Sequence, residues 1–487
     1  MLFNSVHFYI FAPIVIVVFF LLNERWQRYW LFVASLYFYA VFEFAFILLL
    51  LYSIVITYIA IRRIVVNTVE WKRQGWLAVA VFGNLLLLLV FKYLHLIYDV
   101  INFFLGAGVC EPSRFQGPLF LLPMGISFFG LQAISAAVDV YRGNAKPPVS
   151  LLRFGLFLSF FPQLVAGPIL RTKDLLDQFD FGKQFTADNF RIGIGKLSVG
   201  FFKKTIIADA LSPIVDEVFA NPAGYNSVSL WISVFVFSFQ IYCDFSGYSD
   251  IAIGIARILG YKFPENFDRP FFSTTVGEFW RRWHISFSSW LRDYVYIPLG
   301  GSRVSVSRAY INLFATMVIS GLWHGADWNF LVWGAIHGGF VALERLVLSV
   351  PSIRSRYQKL PPIIGMFYVY WVFSVAFFYF RCKPVEIPGI DGLAAPIQVA
   401  WFMTVRSFSF VSGSQILVPW NAIALVVLLL GLEWLQESKG RLPKIDSFIE
   451  SVIGRPTFVY AASISVLLVC LYIYSVTFSQ PFVYFQF

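Results

Sequence analysis

Along most of the chain the apolar positions come in unbroken runs, with neither the strict alternation of a strand nor the one-sided stripe of a soluble helix. Such runs occupy residues 5–22, 29–42, 45–61, 76–105, 118–140, 151–169 and 191–220, and then 228–260, 309–323, 328–348, 363–380, 416–435 and 457–478. About 20 apolar residues cross the hydrocarbon core as a helix, so the runs predict about nine to twelve spans once half-spans and interfacial pieces are set aside. Backbone N–H and C=O groups must pair within the segment in hydrocarbon, and continuous runs do this only as helices, which excludes a barrel. The expected fold is an all-α, polytopic integral membrane protein, with residues 1–487 read as one membrane-embedded domain. No internal repeat, low-complexity tract or soluble domain interrupts it.

Polar residues set the orientation and mark the exceptions. The loop 23–28 carries Arg25 and Arg28, and the loop 62–73 carries Arg62, Arg63, Lys72 and Arg73. Both are predicted cytoplasmic, which needs a helical hairpin over 29–61 and places the N-terminus on the other side. Residues 261–308 are too polar to span, hold Arg269, Arg281, Arg282, Arg292, Arg303 and Arg308, and are dense in aromatics. They read as an interfacial or re-entrant module shielded by protein.

Composition sharpens this picture. Apolar residues make up 59% of the 487, aromatics 20% and charged residues 13%, where a soluble domain carries about 25% charged. The mean hydropathy is +0.72. The formal charge of +10 belongs to loops flanking apolar runs, so no nucleic acid is expected as a partner. Cys110, Cys243, Cys382 and Cys470 form no CxxC pair and read as structural. No basic segment precedes the first apolar run, which reads as a retained helix.

The chemistry gathers in the re-entrant region and just after it. FWRRWHISFSSWLRDYVYIPLGG predicts one amphipathic helix from Val276 to Tyr294, with Trp280, Trp283, His284, Phe287, Leu291 and Tyr294 on its apolar face. On the residues alone, His284 is first a hydrogen-bonded core histidine, and the Arg281–Arg282 pair first a headgroup anchor. In SGLWHGADWNFLVWGAIHG, His324 lies between Gly321 and Gly325, which predicts an imidazole beside a narrow cavity. An ionisable group at the end of an apolar run is a functional candidate by default, and Trp323 is grouped with it as a substrate-contacting position. The histidines His7, His95, His284, His324 and His337 make no metal-binding pair, and GxSxG is absent, so neither a metal site nor a serine triad is expected. General base catalysis by a neutral imidazole on a hydroxyl attacking a thioester remains. QIYCDFSGYSDIAIGIA buries Asp244 and Asp250 in an apolar helix, read first as a structural polar network and second as substrate-lining; Asp139 falls under the same reading. FFPQLVAGPILR breaks its own helix with prolines and a glycine. Asp327 reads as a helix cap before it reads as a partner of His324.

These stretches, with LPMGISFFGLQAISAAVDVYRG and ENFDRPFFSTTVGEFWRRWHISFSSWLRDYVYIPLGGSR, run from about residue 121 to 339. Together they resemble the membrane-bound O-acyltransferase superfamily, in its alginate O-acetyltransferase-like bacterial branch. The resemblance implies helices around a central tunnel, an essential histidine at His324 and a second functional histidine at His284. It implies an acyltransferase of groups other than amino-acyl, with acetyl-CoA as co-substrate, no bound cofactor, and Arg281, Arg282 or Arg303 meeting the donor's phosphates. It implies a bacterial inner-membrane location, a periplasmic SGNH-type partner and an exported polysaccharide acceptor. The C-terminal PFVYFQF is similar to the ending of the teichoic acid D-alanyl transferase, which keeps a carrier-protein thioester open as donor. A transporter of lipid-linked sugar or acyl groups is the reading from another class, disfavoured because no repeated halves are present.

Overall fold

The computed structural model describes residues 1–105 and 123–438, with isolated positions 462, 464, 465, 466, 469 and 482. Most of the predicted span 457–478, the start of the 118–140 run, Cys110, Cys470 and most of PFVYFQF lie outside the described residues.

The described chain is almost wholly helical. It runs through α1 (Val6–Leu21), α2 (Glu24–Ala40), α3 (Phe46–Val66), α4 (Glu70–Leu88), α5 (Leu94–Leu105), α6 (Ile126–Tyr141) and α7 (Leu151–Ser159). After α8 (Thr172–Leu175) come α9 (Ala187–Phe201), α10 (Asp209–Ala220), α11 (Ser227–Ile258), α12 (Val276–Arg282) and α13 (Ile285–Leu291). The remainder is α14 (Val306–His324), α15 (Trp328–Leu348), α16 (Pro351–Gln358), α17 (Pro362–Arg381), α18 (Pro396–Phe408) and α19 (Trp420–Glu437). A two-residue ribbon, β1 (Val385–Glu386) against antiparallel β2 (Leu393–Ala394), pairs Val385 with Ala394.

Among the described residues six helical segments are long and apolar enough to cross a membrane: α3, the α4–α5 run to Asn102, α11, α15, α17 and α19. α1 and α6 are shorter apolar helices. This is a multi-pass membrane protein. The hairpin required over 29–61 is present as α2 and α3, opened by Asn23, whose side chain accepts the Trp26 N–H. The apolar run over 151–169 is helical only to Ser159; Pro162, Gly167 and Pro168 leave the following stretch irregular, as the sequence predicted. The run over 191–220 is split by a π-helical turn at Phe202–Ala208.

The chain forms two compact units, 1–201 with 248–265, and 202–247 with 266–487. In the first, a buried Asn84 clamps α3 to α4: it accepts from Ser53 Oγ at 2.5 Å and donates to Thr57 Oγ1 at 2.9 Å. Its aromatic core includes Phe11, Phe38 and Phe161. In the second unit, α14 and α15 pack at backbone distance. A Cβ on Gly334 would stand 2.4 Å from the Met317 carbonyl oxygen, so glycine is required there. α11 is largely enclosed by protein, whereas α19 is mostly exposed among the described residues.

Candidate active site

The predicted single helix over 276–294 is instead two helices meeting at His284. Thr275 caps α12 by accepting the Glu278 N–H, and α12 stops at Arg282. The extended chain at 266–268 crosses at that point and takes the hydrogen bonds a continuous helix would have made. The Ile285 N–H donates to the Asn266 carbonyl at 2.9 Å, and the Arg282 carbonyl accepts the Asp268 N–H at 2.9 Å. His284 absorbs the break in the left-handed region, with φ 44° and ψ 54°. A non-glycine residue there is held by its surroundings and marks a site worth attention. A 276–294 hydrophobic pattern carries no sign of the crossing strand, which is why periodicity predicted one helix.

The same crossing residue fixes the His284 ring. Asn266 Oδ1 accepts from the Ser286 N–H at 3.1 Å and the Ser286 hydroxyl at 2.8 Å, and lies 3.3 Å from His284 Nδ1. An oxygen already receiving two donors is an acceptor for the third, so Nδ1 carries the proton and Nε2 is the accepting nitrogen. His284 is 1% exposed, and burial pushes its pKa down to about 3. The ring is therefore neutral at physiological pH.

His324 ends α14, where the helix gives way to the extended Gly325. Its ring is 7% exposed and is caged edge-on by Trp333 at 4.9 Å, Phe380 at 5.4 Å and Phe287 at 5.6 Å. Phe287 stacks on Trp323 at 4.1 Å, and both rings also border His284, at 5.1 and 6.1 Å. The fold thus brings together the two histidines singled out in sequence, both packed against the Phe287–Trp323 pair. Gly321 and Gly325, expected to open space beside the imidazole, serve packing instead. A Cβ on either would lie 2.1 Å from Phe330, from its carbonyl oxygen and its ring respectively. Phe245, edge-on to His284 at 4.6 Å, also touches Phe482 near the C-terminus.

A cavity of about 640 Å³ lies in the same unit, between α12–α13 and the α14–α15 pair. Trp280, Thr316, Met317 and Val341 wall it, and Arg281, Arg292, Glu344 and Arg345 stand around it. Glu344 accepts the Val276 and Gly277 N–H groups at the start of α12, at 2.7 and 3.1 Å, which complements the positive end of that helix. Among the described residues no group of three His, Cys, Asp or Glu is placed to hold a metal ion.

Residues 126–383, which contain both histidines, the shared wall and the cavity, match the model of the membrane-bound O-acyltransferase family. The chain belongs to that family. It is a membrane-bound acyltransferase. The chain is similar to the probable alginate O-acetylase AlgI of Pseudomonas aeruginosa, at 39% identity over 84% of this chain and 74% of the relative. It is similar to the peptidoglycan O-acetyltransferase of Helicobacter pylori, at 34% identity over 79% of this chain and 78% of the relative. The likeness to the teichoic acid D-alanyltransferase of Bacillus subtilis is 31% over 44% of this chain and 56% of the relative.

In this acyltransferase the remaining candidates separate by environment. Arg281 is exposed, lines the cavity and makes no ion pair among the described residues. Arg282 is held by Glu278 at 2.9 Å and by both oxygens of Glu437, at 3.0 and 3.2 Å. Arg303 is exposed in the turn before α14. Asp244, 1% exposed, pairs with Lys204 at 2.7 Å, and Lys204 also holds Asp209 at 2.8 Å. Asp250 belongs to the other unit, where Lys196 lies 3.3 Å from it and 2.7 Å from Glu265. Both aspartates are thus ion-paired. Asp327 is exposed at the N-cap position of α15 without a side-chain cap hydrogen bond. Asn266 and Arg345 were not singled out in the sequence, and Arg292 and His337 were named there only among the arginines of the re-entrant region and the five histidines; the i, i+8 spacing of His337 and Arg345 on α15 hints that these two share a face.

Proposed function

We propose that the protein transfers an acetyl group from a cytoplasmic thioester, acetyl-CoA, to a hydroxyl reached from the opposite side of the bacterial inner membrane. The acceptor is an exported polysaccharide, reached directly or through a hydroxyl of a periplasmic SGNH-type partner. The relatives named as O-acetylases of alginate and peptidoglycan, matched over most of the chain, support this reading above the D-alanyl relative, matched over 44%.

The observation that carries the chemistry is the meeting of two buried histidines on one aromatic wall. In the proposed step His324 accepts the hydroxyl proton as the oxygen attacks the thioester carbonyl carbon. The tetrahedral intermediate then collapses, the C–S bond breaks, and the imidazolium returns its proton to the leaving thiolate. His284, whose Nε2 is the accepting nitrogen, orients the incoming hydroxyl. A dry, aromatic surrounding keeps the His284 ring neutral and strengthens each hydrogen bond made in it.

His324→Ala tests this directly. The expected outcome is loss of acetyl groups from the exported polymer at unchanged membrane abundance; normal acetylation would rule the role out. Release of free CoA thiol from labelled acetyl-CoA by the purified protein with its acceptor separates transfer from transport.

A further inference from the structure

α19 is mostly exposed, yet it turns two carboxylates inward, one helical turn apart. Glu437 accepts from Arg282, with Nη1 3.0 Å from Oε2 and Nη2 3.2 Å from Oε1, and Arg269 Nε lies 3.4 Å from the same Oε2. Glu433 is buried and accepts from the Tyr242 hydroxyl. The Tyr242 ring packs against Phe267 at 5.9 Å and Trp283 at 6.0 Å, the residues that follow Asn266 and precede His284. Both carboxylates therefore reach the place where the chain at 266–268 crosses the break between α12 and α13. Glu437 lies beyond residue 383, where the family match ends, and no motif points to it.

Arg269 and Arg282 belong to the two segments that cross. Among the described residues the only non-glycine positions with positive φ are Arg269, His284 and Phe410. Arg269 (φ 45°, ψ 59°) and His284 (φ 44°, ψ 54°) stand one on each segment, and the Asp268 N–H joins the segments by donating to the Arg282 carbonyl at 2.9 Å. A strained backbone of this kind persists only where its surroundings over-determine it. One carboxylate that grips an arginine from each segment is such a restraint. Ion pairs on a solvated surface contribute little. This pair differs: the guanidinium meets both carboxylate oxygens, the two side chains are only 20% and 18% exposed, and Glu278 holds the same guanidinium at 2.9 Å.

We propose that Glu437 is a positioning residue for His284, acting through Arg282 and Arg269, and that Arg282 serves this clamp rather than the phosphates of a donor. The inference rests on the His284 role under Proposed function and deepens it. With the clamp in place, the left-handed turn at His284 holds the imidazole where it orients the incoming hydroxyl. Without it, the turn relaxes and the hydroxyl loses its alignment, while the donor binds as before.

Two measurements on the purified full chain in detergent test this. In hydrogen–deuterium exchange, Glu437→Gln, which keeps the shape and removes the charge, is expected to speed exchange over 266–292 about tenfold, the worth of one charge-assisted hydrogen bond. Fragments over 306–348 should exchange at the wild-type rate. In thiol release from acetyl-CoA with acceptor present, the same variant should lower kcat about tenfold and move the KM for acetyl-CoA by less than about twofold. Glu437→Asp, which keeps the charge, should recover part of both losses. Arg282→Lys gives up the two-pronged contact, should show the same loss in kcat alone, and stands in should Glu437→Gln not purify. Combined with Glu437→Gln it should cost little more than either change alone. Unchanged exchange over 266–292 overturns the proposal. Exchange raised equally over 306–348 also overturns it, because the pair would then be a general fold contact. A raised acetyl-CoA KM with kcat kept in Arg282→Lys does the same, by making Arg282 a donor ligand. If the wild type releases no thiol, the donor reading under Proposed function fails, and the exchange result still decides the clamp.

Discussion

One oxygen, Asn266 Oδ1, decides which nitrogen of His284 carries a proton. Asn266→Leu strips the acceptor from the Ser286 N–H, the Ser286 hydroxyl and the imidazole at a position 1% exposed. A buried donor left without its acceptor costs about 1–3 kcal/mol. The variant is expected to lower the melting temperature by several degrees in fluorescence-detected gel filtration, with Asn266→Asp closer to wild type. His284 makes a second prediction, through pH. Its folded pKa of about 3 lies below the ordinary 6.5, so below pH 6.5 the unfolded chain takes up a proton that the folded chain refuses. Stability from this residue is complete above pH 6.5 and is lost as the pH falls toward 3, by about 1.4 kcal/mol per pH unit. His284→Gln should flatten the difference in melting temperature between pH 7 and pH 5, measured against wild type in the same detergent. Sequence showed that His284 faces inward, because Trp280, Trp283 and Phe287 surround it on an apolar face. It did not show the left-handed backbone or Asn266, because both arise from a chain crossing 18 residues away.

At the level of elements, the α14–α15 crossing sets the distance between His324 and the Trp333–His337 face. Gly334→Ala would drive a methyl to 2.4 Å from the Met317 carbonyl oxygen, whereas Gly339, one residue beyond Gly338, has nothing within 4 Å of an added Cβ. Gly334→Ala is expected to lose most of the monodisperse peak on gel filtration and Gly339→Ala to keep it. The polar interior of α11 makes a matching case. Lys204→Met leaves Asp244 and Asp209 without the cation that pairs them, a loss of about 3–5 kcal/mol for a broken buried pair. Adding Asp244→Leu should recover part of the folded yield, read by the same assay. Such elements were legible where a run was long and uniform: α3, α11, α15 and α17 lie within a few residues of their expected limits. They were not legible where tertiary contacts cut the pattern. Residues 160–171, the π turn at 202–208 and the break at His284 all interrupt apolar periodicity for reasons located elsewhere in the chain.

For the whole molecule, the direction of transfer depends on which side of the membrane the cavity faces. Arg345 and Leu348, near the C-terminal end of α15, line the cavity, and α16, just beyond, carries Arg354 and Arg356 with Lys359 following, all exposed. A short basic segment flanking a span marks the cytoplasmic side. α17 then crosses once, from Pro362 to Arg381, and the β1–β2 ribbon follows it. The cavity and the ribbon are therefore expected on opposite sides, with His324, packed on Phe380 near the end of α17, nearer the ribbon. A cysteine placed at the exposed Ser355 or Gly389 of a chain freed of its four native cysteines reads this out with a membrane-impermeant maleimide. In intact cells with a permeabilised outer membrane, position 389 is expected to label fully. Position 355 should label only after the inner membrane is opened. Labelling of 355 in intact cells would put the cavity's arginines on the side where the proposed acceptor arrives and would overturn the proposed cytoplasmic donor.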